Sequence, residues 1–289
     1  MRSWPVVLIT GASTGVGLAL AQRLLGKPYR LVLTARATSL HRFATAGIRD
    51  NERLCVLPLD ITHAAQRNTA LDRIAERWNG VDMLINNAGI SYRAVVEHMS
   101  DAEEMHQLVT NYVGAMGLIR LVLPWMRSQR AGRIINVSSV SGMMAMPTMS
   151  AYSASKFALE GASEALWYEM RPWNIHVSIV EPGFIHSQSF EHVYTAHRAT
   201  HDDQPTDPYQ IYYDSMTPFI ARMMQRARAT ADDVAHTIEH TMERNRPPLR
   251  IPATCDARVF FWLRRVLPRG VYHRILFWGL PNIRRWGVD

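Results

Sequence analysis

The sequence contains few cysteines and few lysines. Cys55 and Cys255 are the two cysteines in 289 residues, and neither lies in a CxxC or Cys/His cluster. The sequence therefore predicts neither a disulfide framework nor a metal site, and we expect a reducing, cytoplasmic setting. Lys27 and Lys156 are the two lysines, and the other 30 of the 32 basic residues are arginines. Because lysine and arginine differ in chemistry, the position of Lys156 needs an explanation.

Long apolar runs are also missing. No stretch of 18 or more apolar residues predicts a transmembrane helix. The first residues, MRSWPVVLITGAS, lead directly into a strand pattern, without the apolar core and cleavage site of a signal peptide. With 47% hydrophobic and 20% charged residues, the composition predicts one globular domain over residues 1–289.

Acidic residues are nearly absent from the last part of the chain. The formal net charge is +7, and the segment 258–289 contains seven arginines against the single acid Asp289. The basic character therefore belongs to a C-terminal extension, 254–289, in which aromatic residues alternate with arginines. We expect this extension to pack over the substrate cleft or a partner subunit. The alternatives are contact with a membrane surface and, less favoured, with nucleic acid, which we do not expect as a partner.

The first two thirds of the sequence alternate between strand and helix patterns. Strands are predicted at 5–10, 30–35, 53–59, 81–87, 132–138 and 175–182, and helices at 15–26, 38–47, 63–78, 101–129 and 150–171. This order predicts an α/β fold, a Rossmann-like doubly wound parallel sheet with helices on both faces, followed by the C-terminal helical extension.

The pattern becomes irregular after residue 186. Residues 186–225 are polar and contain proline, but they also include aromatic residues such as Phe190, Tyr194 and Tyr212. The segment is either a substrate-binding lid or a disordered loop, and the aromatic content favours a lid. A helix at 230–244 and a last strand at 248–253 follow.

Two features near the start of the chain predict a dinucleotide site. The first predicted strand ends in TGASTGVG, so that Gly11, Gly15 and Gly17 open a helix whose N-terminus suits a diphosphate. The alternative is a purely structural turn. Arg36 ends the second strand, where an acid would bind a free ribose hydroxyl and an arginine suits a 2′-phosphate. NADP(H) is therefore favoured over NAD(H), unless Arg36 is only a solvated charge.

Tyr152 and Lys156 are four residues apart in a predicted helix, so both side chains lie on one helix face. A ketone that accepts hydride also needs a proton, which Tyr152 can supply. A nearby Lys156 ammonium and an oxidised nicotinamide would favour the phenolate. Ser139, at the end of a strand, can donate to the substrate oxygen. Taken singly, these residues have ordinary structural interpretations, and their combination favours catalysis.

Several spaced motifs together resemble the short-chain dehydrogenase/reductase family. They are TGASTGVG, LDIT (59–62), NNAG (86–89), Asn111, NVSS (136–139), YSASK (152–156) and EPG (181–183). The similarity covers about residues 5–187 and extends to the branch of retinol, steroid and lipid-carbonyl reductases. It implies a homodimer or homotetramer that pairs through the helices at 101–129 and 150–171.

The resemblance also assigns roles to residues. The implied catalytic residues are Asn111, Ser139, Tyr152 and Lys156, with Asn111 holding a water next to Lys156. The implied cofactor-binding residues are Gly11, Ser13, Thr14, Gly15, Val16, Gly17, Arg36, Asp60, Ile61, Asn87, Ala88, Gly89, Tyr152, Lys156, Pro182, Gly183, Ile185 and Ser187. Ser187 replaces the usual threonine but keeps the hydroxyl. Asn86 is expected to tie neighbouring strands together, and Ser138 to be structural.

The substrate is expected to contact Ser139 and Tyr152, beside a methionine-rich stretch. Met143, Met144 and Met149 form either an apolar substrate wall or core filling. Together with the aromatic lid, they indicate a bulky hydrophobic carbonyl or secondary alcohol. The alternatives are a non-catalytic dinucleotide-binding regulator or scaffold, a surface-anchored lipid-processing partner, and a 3-oxoacyl thioester reductase.

Overall fold

Seven parallel strands form the central sheet of the computed structural model, which describes residues 4–186, 193–199 and 207–288. The predicted residues Ser187 and Phe190 lie outside these ranges. The sheet strands are β1 (Val6–Ile9), β2 (Arg30–Ala35), β3 (Leu54–Pro58), β4 (Met83–Asn86), β6 (Gly132–Val137), β7 (Ile175–Glu181) and β9 (Arg250–Pro252). They lie in the order β3-β2-β1-β4-β6-β7-β9. Both the parallel sheet and the predicted strand positions are confirmed.

Helices connect the strands of the sheet along the chain. They are α1 (Gly15–Leu24), α2 (His41–Thr45), α3 (Ala64–Trp78), α4 (Asp101–Leu108), α5 (Gly114–Gln129), α6 (Ser150–Met170), α7 (Gln210–Arg226), α8 (Ala231–Glu243), α9 (Cys255–Val266) and α10 (Arg269–Trp278). The pairs α4 and α5, α7 and α8, and α9 and α10 follow each other without a strand between them. Strand β1 shows why both sheet faces are covered. Val7 and Ile9 pack into a core with α1 and α8, whereas Leu8 packs into the core on the opposite face. This arrangement is the predicted doubly wound sheet.

The helix at 101–129 corrects one expectation. Residues Asp101–Gln129 include a run long and apolar enough to cross a membrane by length and composition, although the sequence reading expected no such run. Leu118, Val122 and Met126 of this run are completely buried in the core. Packing against the sheet therefore accounts for its apolar character. A π-helical turn at Val109–Val113 separates α4 from α5.

The segment after residue 186 is more regular than its composition suggests. Strand β5 (Tyr92–Arg93) pairs in parallel with β8 (Tyr194–Thr195), and Tyr92 stacks on Tyr194 with ring centroids 5.0 Å apart. Helix α7 was not predicted, because Pro218 and the polar, tyrosine-rich start of the helix obscure its periodicity. The described part of the predicted lid therefore consists of β8, a short 3₁₀ turn and most of α7.

Candidate active site

Tyr152 and Lys156 lie at the start of α6, beside the carboxyl end of β6. Lys156 Nζ lies 5.8 Å from the centre of the Tyr152 ring and donates a hydrogen bond to the Val137 carbonyl oxygen at 2.9 Å. Ser139 follows β6, and its hydroxyl accepts a hydrogen bond from the Ser141 amide at 3.1 Å. The structure thus brings the three predicted catalytic side chains to one edge of the sheet, where doubly wound folds place their ligands.

The electrostatics at Tyr152 favour a neutral phenol. Burial raises the pKa of Tyr152, while a hydrogen bond with Ser139 and the positive charge of Arg93 act in the opposite direction. Burial also lowers the pKa of Lys156 to about 8, against the effect of the Glu160 carboxylate. The protein alone therefore holds Tyr152 as a proton donor, which is the form that carbonyl reduction needs.

Arg93 is a site residue that the sequence reasoning missed. It lies on β5, and the next residue, Ala94, donates a backbone hydrogen bond to Thr148 at 3.0 Å and forms a β-bridge with Met149. Two nitrogens of the Arg93 guanidinium are buried, and this burial lowers its pKa to about 10 while the Tyr152 phenol raises it. The signal in the sequence was an arginine in a short strand-like run directly after NNAG.

Asn111 fixes the chain that follows the NNAG motif. Its side-chain oxygen accepts a hydrogen bond from the Ile90 amide at 2.8 Å, and its nitrogen donates to the Ile90 carbonyl and the Ser155 hydroxyl, both at 3.0 Å. A Cβ added at Gly89 would lie 3.2 Å from Asn111 Oδ1 and 3.8 Å from Lys156 Nζ. Gly89 therefore lies close to both side chains, and Asn111 itself belongs to the π-helical turn Val109–Val113, a common location for functional side chains.

The glycine turn fits the diphosphate of a dinucleotide. Gly11 and Gly15 have positive φ angles of 61° and 53°, and nothing lies within 4 Å of the position of a Cβ at Gly15. Thr14 precedes α1 without a side-chain capping bond, and the first turn of α1 contains no acid. The space beside Gly15 is therefore open, and the amide groups at this helix end have the polarity that favours a phosphate. Of the neighbouring predicted residues, Ser13 is buried and Val16 packs partly against the core.

The asparagines of NNAG link the strands under this turn. Asn86 donates to Asn136 Oδ1 at 2.8 Å, which confirms the expected tie between β4 and β6. Asn87 Nδ2 donates to the carbonyl oxygens of Thr10 and Gly11 at 3.0 and 3.1 Å. The amide of Ala88 donates to the Thr10 hydroxyl at 3.0 Å. These bonds set the position of the glycine turn relative to the site at Lys156.

The predicted adenosine-binding residues follow β2 and β3. Arg36 is exposed and donates to the Tyr194 hydroxyl at 3.4 Å. Burial works against ionisation of Asp60, but hydrogen bonds from the Thr62 amide and hydroxyl hold its pKa below the usual value. Ile61 is buried next to Asp60. A charged carboxylate therefore follows β3, and an exposed guanidinium follows β2.

Hydrogen bonds connect the segment after β7 to the C-terminal extension. The Gly183 amide donates to Thr254 Oγ1 at 2.9 Å, and the Phe184 amide donates to Asp256 Oδ2 at 2.8 Å. On its other side, the Pro182 carbonyl accepts from the Val140 amide at 2.7 Å. Because Val140 follows Ser139, the predicted nicotinamide-binding loop is linked both to the candidate catalytic serine and to the start of α9. Ile185, two residues beyond Gly183, packs partly against the core.

A buried ion network supports the loop that contains Ser139. Ser138 donates to Glu160 Oε1 at 2.6 Å, which confirms its structural role. Arg250 pairs with Glu160, with Glu164 at 3.0 Å and with Glu181 at 2.9 Å. Burial and the neighbouring Glu160 raise the pKa of Glu181 to about 7, although Arg250 opposes the shift.

The methionines divide between two apolar clusters. Met149 packs in a cluster with Tyr152, and the other members are Met146, Phe184, Met216, Phe219, Ile220, Met224, Leu280 and Trp286. Met143 and Met144 are instead buried in a cluster with Tyr272 beneath the C-terminal extension. Of the three methionines predicted to contact substrate, Met149 therefore lies in the same cluster as Tyr152.

Among the described residues, no group of three or more His, Cys, Asp or Glu side chains could hold a metal ion.

Residues 5–197 match the family model described as short chain dehydrogenase. The chain belongs to this family of oxidoreductases. It is 38% identical over 178 residues to the 3-ketodihydrosphingosine reductase of Bacteroides thetaiotaomicron, a match that covers 62% of this chain and 63% of that protein.

Two further similarities cover most of the chain. Retinol dehydrogenase 8 of Homo sapiens is 34% identical over 295 residues, covering 98% of this chain and 93% of that protein. The crystal structure of a short chain dehydrogenase/reductase from Burkholderia phymatum in complex with NAD is 25% identical, with a TM-score of 0.74, and covers 96% of this chain and 97% of that one. The predicted family and fold class are thereby confirmed.

Proposed function

We propose that the protein is an NADP(H)-dependent oxidoreductase that interconverts a ketone or aldehyde and an alcohol on a hydrophobic substrate. The observation that carries the proposal is the convergence of Tyr152, Ser139 and Lys156 at the sheet edge next to the glycine turn. A regulator that only binds a dinucleotide would need the glycine turn, but it has no use for a partly buried proton donor paired with Ser139.

The protein residues then have the following roles in reduction. The cofactor supplies hydride to the carbonyl carbon. Ser139 donates a hydrogen bond to the carbonyl oxygen and fixes its position, and Tyr152 transfers its phenolic proton to that oxygen. Lys156 and Arg93 both favour the phenolate that remains, since each places a positive charge near it. Asn111 keeps the segment beside Lys156 in place and, we propose, holds the water that returns a proton.

The remaining predicted cofactor residues surround the dinucleotide in this proposal. The glycine turn and Ser13, Thr14 and Val16 hold the diphosphate, while Asp60 and Ile61 contact the adenine. The Asn87–Gly89 segment and Lys156 lie beside the nicotinamide ribose. Pro182, Gly183, Ile185 and Ser187 hold the carboxamide.

Arg36 supports NADPH over NADH, although the neighbour from Burkholderia phymatum contains NAD. Its exposed guanidinium at the end of β2 can form charge-assisted hydrogen bonds with a 2′-phosphate. We expect Arg36→Asp to shift the ratio of kcat/KM values from NADPH towards NADH by roughly 10- to 150-fold, since charge-assisted bonds are worth about 1.5–3 kcal/mol. Arg49→Asp, at another exposed arginine, is the control. An unchanged ratio in Arg36→Asp would contradict the assignment.

The apolar cluster around Tyr152 supports a bulky hydrophobic substrate. Met149, Phe184 and Phe219 lie in it, and retinol dehydrogenase 8, a relative over nearly the whole chain, is named for an apolar alcohol. We expect oxidation of NADPH with steroid, retinal or long-chain carbonyls, and much less with small aldehydes. Higher activity on 3-oxoacyl thioesters would favour the alternative of an acyl-thioester reductase. No turnover with any carbonyl would favour the regulator.

The outer stripe of α6 supports a homodimer or homotetramer. Ala154, Phe157, Gly161, Ala165 and Tyr168 are exposed and follow one another at intervals of three or four residues, so they form one continuous face. Light scattering should give the mass of two or four chains. We further propose that the enzyme is cytoplasmic and associates with membrane surfaces through its C-terminal extension.

A further inference from the structure

We propose that the outer face of the α9–α10 hairpin docks on the surface of an anionic phospholipid bilayer. This outer face consists of Val259, Trp262 and Val266 on α9 and Val271, Ile275 and Trp278 on α10. The inference deepens the proposed function, because it assigns the route by which an apolar substrate reaches Tyr152, and it can be tested separately.

The outer face is continuous and exposed. On α9 the three residues are spaced by three and four positions, and on α10 by four and three, so each helix directs one apolar stripe outwards. Trp262 and Val266 are 61% and 71% exposed, and Ile275 and Trp278 are 51% and 63% exposed. Tryptophan and branched aliphatic side chains on one face are typical of helices that lie in a membrane interface.

The opposite face of the hairpin is already occupied. Phe260, Leu263 and Leu276 pack with the buried Tyr272 against Met143 and Met144. The hairpin is therefore an amphipathic unit attached to the fold by its inner side. The inner side packs against the fold, whereas the outer apolar residues are exposed in the described chain.

The charge around the outer face indicates which kind of partner binds there. All seven arginines between 258 and 285 are exposed, and Asp256 is the only acid among residues 255–288. A second copy of the chain would bring the same positive charge to this face and would repel it. A nucleic acid would match the charge, but it has no apolar surface that could cover Val266 or Ile275. Anionic lipid provides both negative headgroups and an apolar layer.

Docking at this face would place the substrate site at the bilayer. Trp286 and Leu280, which follow α10, pack in the cluster that contains Tyr152. At the other end, Thr254 and Asp256 bind the Gly183 and Phe184 amides. A lipophilic carbonyl dissolved in the membrane could therefore enter between the extension and the Tyr152 cluster without crossing water.

The test is co-sedimentation of the full chain with phosphatidylcholine vesicles, with and without phosphatidylglycerol. We expect binding only with phosphatidylglycerol. Val266→Glu combined with Ile275→Glu should weaken it at least tenfold, whereas Val96→Glu, at a residue 74% exposed elsewhere, should not. Arg269→Gln with Arg274→Gln should weaken it roughly 25-fold, since each basic residue near an anionic surface contributes about fivefold. Arg49→Gln with Arg228→Gln is the control pair.

Circular dichroism establishes that each variant is folded, and light scattering detects self-association through the hairpin. Equal binding of all variants, equal binding to neutral vesicles, or a change of oligomeric mass in Val266→Glu with Ile275→Glu would each overturn the proposal. Turnover of a steroid carbonyl supplied in detergent micelles, without vesicles, separates this failure from failure of the proposed function. Turnover without vesicle binding contradicts docking alone, and vesicle binding without turnover contradicts the enzyme assignment alone.

Discussion

A single methyl group at Gly17 should weaken dinucleotide binding. A Cβ added there would lie 2.6 Å from Asn87 Nδ2 and 2.9 Å from the Ala12 Cα, and closer still to the Gly11 carbonyl oxygen. Two of these three neighbours are backbone atoms, and Asn87 is held by bonds to Thr10 and Gly11, so none can move aside without moving the glycine turn.

Overpacking of this kind costs about 1–3 kcal/mol. If the turn adjusts to relieve the contact, most of that cost falls on the bound state, and the Kd for NADPH rises roughly 5- to 150-fold. Fluorescence titration with NADPH measures this change, and thermal unfolding reports whether the fold survives. Gly26→Ala is the matched control, because nothing lies within 4 Å of a Cβ there and φ is not positive. NADPH binding of Gly17→Ala equal to that of the parent would refute the reasoning.

Two further predictions concern charge. Arg93→Met removes a cation that favours the Tyr152 phenolate, so the pKa of Tyr152 should rise. The pH profile of kcat/KM for alcohol oxidation should therefore move to higher pH. An unshifted profile would show that Arg93 does not act on Tyr152. Glu181 has a folded pKa of about 7, above its ordinary 4.5, so its contribution to stability is present below pH 4.5 and is lost as the pH rises to 7. The loss amounts to on the order of 3 kcal/mol, and chemical denaturation at several pH values should show the unfolding free energy of the parent falling relative to Glu181→Gln over that range. Parallel curves would contradict the shift.

The sheet was predictable because its strands are short apolar runs bounded by Gly, Pro or Asp, with amphipathic helices between them. β2, for example, was predicted at 30–35 and is observed at Arg30–Ala35. Such patterns depend on local periodicity, which the sequence displays directly. β5 and β8 were missed because two residues are too few to show a period, and each strand exists only through pairing with the other.

The site was predictable where a motif links a residue to its role, as for Tyr152 and Lys156. Arg93 was missed because its importance depends on the distance from β5 to α6, which no spacing in the sequence encodes. The sequence also did not show that the methionines divide between two apolar clusters. Met143 and Met149 lie six residues apart, yet tertiary packing directs one beneath the extension and the other towards Tyr152.

The two faces of the C-terminal extension were also not predictable from the sequence. The sequence displays its aromatic residues and arginines, but not which of the aromatic residues pack inwards. Only the structure separates Phe260, which packs inwards, from Trp262, which points to solvent.

The central claim is that Tyr152 transfers the proton during hydride transfer. Its most direct test is the single-turnover rate of NADPH oxidation by Tyr152→Phe with the best carbonyl substrate, alongside the Kd for NADPH. Loss of a positioned general acid should slow turnover about 10²- to 10⁴-fold while NADPH binding and thermal stability stay near those of the parent. A parental rate of hydride transfer in Tyr152→Phe would contradict the account.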